Sequence, residues 1–172
     1  LHPRVRRQRQ MCIRDRIGLP DKANPGAWSE LYEDKIARAK IEADRYEKIA
    51  EGIRKAKAEA LRNRYTLQVY EQTNNLQNYP VRLILALNDY DTAKDETARR
   101  AALETVAEVC DYFDVMRADL ESVYSEIRFM QQPEGFISDL NHHNHLASKT
   151  NNSDWWYYYE IPMIRKVRAW MK

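Results

Sequence analysis

Glycine is scarce in this chain, with four in 172 residues. That excludes Gly-rich phosphate-cradling loops and the many tight turns of an all-β fold. No run of 18 apolar residues exists, which excludes a hydrophobic membrane-spanning helix. There is no basic-then-apolar leader at the start of the sequence. Cysteine is limited to Cys12 and Cys110, too few for a disulfide framework or a Cys-based zinc site. No HExxH, CxxC, Walker-type loop or Ser/His/Asp arrangement is present.

What remains is 44% hydrophobic and 31% charged, a balance that suits a helical domain with a true core and is too apolar for disorder. Residues 1–16 stand apart. They carry Arg4, Arg6, Arg7, Arg9, Arg14 and Arg16 with no apolar period, and Met11-Cys12-Ile13-Arg14-Asp15 resembles the translation of a transposon-type sequencing adapter. We set them aside as an artefact; the other reading is a disordered basic arm that binds nucleic acid. Without these arginines and Asp15, 22 basic and 25 acidic residues remain and the net charge moves from +2 to −3. The case for a nucleic-acid partner goes with them. Leu1 in place of an initiator Met reads as a fragment of a longer chain.

Residues 17–26, IGLPDKANPG, read as a linker of turn-forming residues. A helical domain then covers 27–172. Its first stripe, Trp28, Tyr32, Ile36, Ala39, Ala43, Tyr46, Ile49, Ile53, Ala56, Ala60, then Leu67 and Tyr70, steps by three or four almost throughout. This predicts one long helix from Ala27 to about Thr73, with Asn24 or Ser29 as caps and a break at Gly52 as the alternative. Residues 73–79, TNNLQNY, read as a turn. Pro80 then starts a helix that buries Leu83, Ile84, Leu87 and Tyr90, unless Pro80 bends a continuous one. Thr92 or Asp95 caps the next.

The clearest signal follows. Ala102, Val106, Val109, Phe113, Met116, Leu120, Val123, Ile127 and Met130 step 4-3-4-3 without interruption, the seam of a packed helix from Glu96 to Met130. That helix is about 50 Å long, and the first long helix is its expected partner. Pro133-Glu134-Gly135 ends it, and Phe136–Thr150 reads as an ordered loop. Ser153-Asp154 caps a last helix with the stripe Trp155, Tyr159, Met163, Val167 and Trp170, kinked at Pro162. The fold class is therefore all-α: an antiparallel bundle of three to four long helices with an Asn/His-rich loop and a kinked C-terminal helix.

Two clusters carry chemistry. Asp139, Asn141, His142, His143, Asn144 and His145 pack three imidazoles, a carboxylate and two amides into seven residues. Imidazole and carboxylate ligate zinc, but adjacent His142 and His143 point to different faces and no second cluster completes a site, so no metal or other cofactor is assigned. The cluster reads either as a polar turn or as a surface that contacts a neighbouring domain or a polar ligand. In the aromatic run at 155–159, Trp155 and Tyr159 can face the bundle, which leaves Trp156 or Tyr157 turned outward as a contact. Asn151-Asn152-Ser153 is a formal glycosylation sequon. Cys110 lies on the seam as a small core residue.

The stretches LESVYSEIRF (Leu120–Phe129), PEGFISDLNHHNHL (Pro133–Leu146) and NSDW (Asn152–Trp155) resemble the C-terminal region of large bacterial glycoside hydrolases of family 20, the β-N-acetylhexosaminidase-like type. The resemblance covers about residues 20–172. It implies the helical tail of a longer, periplasmic or secreted, saccharide-degrading enzyme. Its partners are then the catalytic domain of the same polypeptide and carbohydrate, with no membrane or nucleic acid. That family works through an Asp-Glu pair on a TIM barrel, with the substrate's acetamido group in place of an enzymic nucleophile. Asp95-Glu96 has the letters but begins a helix, so no catalytic residue is carried over. The alternative from another class is a stand-alone interaction module that binds a partner helix along the 102–130 seam. A third, weaker reading is a metal-dependent helical enzyme.

Overall fold

The computed structural model describes residues 17–126, 157 and 160–172. Among them the chain is all-helical. The helices are α1 (Ala27–Leu31), α2 (Glu33–Glu59), α3 (Arg64–Asp91), α4 (Glu96–Ser125) and α5 (Glu160–Met171). They pack as the helical bundle that the periodicity predicts.

The central element is α3. It lies along α2 on one side and α4 on the other, while α2 and α4 make no comparable contact with each other. Both pairings are antiparallel. Tyr90 meets Arg99, Arg82 meets Tyr112 and Tyr79 meets Phe113, so residue numbers fall on one helix as they rise on the other. On the other side Lys57 reaches Glu71 and the Tyr46 carbonyl reaches Asn74. The partner of the α4 seam is thus α3, a correction to the expectation that the first long helix would face it. Val106, Val109, Phe113, Met116 and Leu120 are buried in one core cluster with Leu83 and Leu87. The seam is filled within the chain as far as Val123; Ile127 and Met130 lie outside the described residues.

The helix boundaries depart from expectation in three places. The first break falls not at Gly52, which sits inside α2, but at residues 60–63, where Ala60 is extended and Asn63 adopts a left-handed φ of 57°. Asn is among the few residues that enter that region readily. The amide-rich 73–79 stretch is helical, and α3 runs through Pro80 without ending. An interior Pro costs about 3 kcal/mol. Burial of Tyr79 just before it and of Leu83, Ile84 and Leu87 on the following turns offsets it. Finally, Pro162 falls in the first turn of α5, where backbone N–H groups have no intrahelical partner in any case. That helix therefore runs unbroken to Met171 and no kink is needed.

Caps hold the bundle at one end. The Asp95 carboxylate accepts from the Ala98 amide at 2.8 Å and starts α4. Neither Asn24 nor Ser29 caps α1; the buried Asp91 carboxylate, at the end of α3, accepts from the Ser29 amide at 2.8 Å instead. Of residues 17–26, read from sequence as a linker, the first four are docked and the next five are exposed. Gly18 accepts from the Trp28 indole at 2.6 Å and donates to the Tyr32 hydroxyl at 3.0 Å. Pro20 accepts from the Trp170 indole at 2.9 Å. The start of the described chain, the α3–α4 turn and the end of α5 therefore share one end of the bundle. The α2–α3 turn and the end of α4 form the opposite, distal end.

Candidate functional site

At the distal end the described chain breaks off after Glu126 and resumes at Tyr157. The antiparallel register sets the end of α4 level with the first turn of α3. Tyr157 then lies against the same helix further back, edge-on to Phe113 with ring centroids 5.9 Å apart and under the Arg117 guanidinium at 4.9 Å. The ring is 1% exposed. Burial pushes its hydroxyl far above the ordinary tyrosine range, with Glu121 adding to the effect and Arg117 opposing it. Of the two aromatics between which the outward place was left open, Tyr157 is a core anchor, with Phe113 against it edge-on and Arg117 over its face. The other, Trp156, and the whole cluster Asp139, Asn141, His142, His143, Asn144 and His145 lie outside the described residues.

From Tyr157 the chain enters α5, which lies on α4. Ile164 and Val167 are buried there, while Arg168 donates to the Cys110 carbonyl and to the Asp111 and Asp114 carboxylates at 3.1, 3.1 and 2.6 Å. The Cys110 thiol is buried and pushed up to about 11 by that burial, which favours the protonated thiol over the thiolate at neutral pH.

A second feature was not legible as a site. Between α2 and α3 lies a cleft of about 380 Å³. Glu47, Ala50, Ile53 and Arg54 line it from α2, at the spacing of one helix face; Glu71, Asn74 and Asn75 line it from α3. Its chemistry is held in place. Lys57 pairs with Glu71, the Asn74 amide donates to the Tyr46 carbonyl at 3.3 Å, and the Asn75 amide donates to Gln72 at 3.3 Å. Asn74 is 6% exposed and Gln72 8%, and Asn74 Oδ1 has no hydrogen-bond partner. The signal that could have found it is the cluster Gln72, Asn74, Asn75 and Asn78, which reads as a turn until its helical spacing is considered. The cleft's charge reaches further: Tyr112, on α4, has its hydroxyl raised by burial, with Arg82 opposing and Asp119, Glu47 and Glu71 reinforcing the shift.

Among the described residues no three His, Cys, Asp or Glu side chains gather as a metal site. No described helix is long and apolar enough to cross a membrane. The chain matches no family model, no curated protein and no solved structure.

Proposed function

We propose that the chain is a non-catalytic helical domain of a larger saccharide-degrading glycoside hydrolase. Its Asp139–His145 cluster and Trp156 contact the catalytic domain or complete the rim of that domain's sugar-binding cleft. The family reading rests on the resemblance of Leu120–Phe129, Pro133–Leu146 and Asn152–Trp155. The contact reading is supported by one structural observation: the stretch that holds the cluster is tethered at both ends to α4. The end of that helix at Glu126 carries one tether, and the buried Tyr157 ring against Phe113 carries the other. Fixing the two ends of a segment lowers the entropy it has left to lose when it makes a contact.

The test is made in the longer enzyme. His143→Ala and Trp156→Ala are expected to raise KM for the saccharide substrate and leave the melting temperature within about 2 °C, as for surface substitutions. Lowered melting temperatures with unchanged kinetics would assign both side chains to packing and remove the contact role.

A further inference from the structure

The α2–α3 cleft is a second polar site, distant in sequence from the Asn/His cluster. We infer that it binds a neutral, hydroxyl-rich ligand, a short saccharide, through Arg54, Glu47 and the amides of Asn74 and Asn75. The class follows from the lining. Glu47, Glu71 and Arg54 line the cleft and Lys57 pairs with Glu71, so two carboxylates face two cations and no net charge favours an ionic ligand. Donors and acceptors of both kinds are present side by side, which is what a hydroxyl needs, since it both donates and accepts. Ala50 and Ile53 supply a small apolar patch for the C–H face of a ring. The volume of about 380 Å³ falls at the low end of the roughly 300–1,000 Å³ of small-molecule sites.

Burying amides between two helices costs stability unless every group is paired. Here Asn74 Oδ1 is left unpaired although the residue is 6% exposed. A core built for stability alone would place an aliphatic side chain at that position. A carboxamide that reorients toward an incoming hydroxyl uses the unpaired oxygen, and this gives the polar stretch of α3 a purpose beyond packing. The inference rests on the saccharide reading of the preceding section and extends it to a different face of the domain.

The experiment is a titration of the 172-residue chain, followed by backbone amide NMR shifts, with three probes: maltotriose, cellotriose and triacetylchitotriose. Saturable shifts clustered on Glu47, Arg54 and Asn75 with at least one probe are expected. Arg54→Ala, at an exposed position, is expected to weaken that binding about tenfold without lowering the melting temperature. Ala50→Phe fills the cleft and is expected to abolish it, while Val115→Ala, at an exposed position on α4, leaves it unchanged. Absence of saturable shifts with all three probes overturns the proposal, as does full affinity retained in Arg54→Ala. If the cleft fails while His143→Ala and Trp156→Ala still raise KM in the longer enzyme, the saccharide site is lost and the domain reading stands.

Discussion

The two halves of α3 make different contacts, and the difference separates what stabilises the molecule from what it offers to others. From Tyr79 to Tyr90 the helix is walled by apolar and aromatic side chains: Leu83 and Leu87 are 1% exposed, and Tyr79 meets Phe113 at 5.0 Å. From Arg64 to Asn78 the same helix presents amides and the Glu71 carboxylate to Glu47, Ala50, Ile53 and Arg54 of α2, and the space between them stays open. Pro80 marks the change. A helix that carries the core on one stretch can carry a polar cleft on the next, because the core fixes its position for both.

The largest effect expected from this contrast is in the apolar half. Phe113→Ala removes a ring packed against both Tyr79 and Tyr157 and should cost about 3–5 kcal/mol. Ile53→Ala, in the half-buried wall of the cleft, should cost about 1 kcal/mol or less. Denaturant unfolding of the two variants checks this, and equal losses would erase the distinction between the halves.

Alkaline pH should act next, on the α4 side of the core that the apolar half packs against. The Cys110 thiol is raised from 9.0 to about 11 in the fold by burial. A group with a raised folded pKa contributes stability that is present below its unfolded value and is lost as pH climbs through the folded one. Stability from this group should therefore hold to about pH 9 and decline by up to about 2–3 kcal/mol by pH 11. Half-buried Tyr112 and buried Tyr157, also raised above the ordinary tyrosine value of 10.0, extend the decline upward. Cys110→Ala should flatten the lower part of that pH profile; a profile identical to the parent's would contradict the assignment.

The smallest effects sharpen the polar half. Asn74→Leu removes an unpaired buried oxygen, and the Tyr46 carbonyl it releases keeps its partner within α2. Stability should rise by up to about 1 kcal/mol. Gly52→Ala, where an added Cβ meets nothing within 4 Å, should add about 0.5–1 kcal/mol from helix propensity alone. Thermal melts of both check the sign. A loss at Asn74 would mean that its amide fixes the register of α2 on α3.

The same division decided what could be read from the sequence. The seam from Ala102 to Val123 was legible because a 4-3 spacing has one physical meaning, a helix face that needs a partner. Which partner it takes was not, since α2 and α3 both carry suitable stripes and only the turn at 60–63 settles the topology. That turn holds neither Gly nor Pro, so Asn63 was its sole mark. Conversely, Pro80 and the amides before it carry every sign of a turn, and tertiary packing from two sides overrode them. Tyr157 sits in a run of five aromatics, too dense for periodicity to tell which ring faces inward. The cleft was illegible for a related reason: it is defined by residues from two helices, and its four α2 residues give no signal alone.

The proposed contact between the Asn/His cluster and a catalytic domain is tested most directly by hydrogen–deuterium exchange at residues 136–156. Exchange is measured for the 172-residue chain and for the longer enzyme proposed to carry it. The account predicts slower exchange across Asp139–His145 and Trp156 in the longer enzyme, with α3 and α4 unchanged between the two. Identical exchange through that segment in both proteins would contradict it.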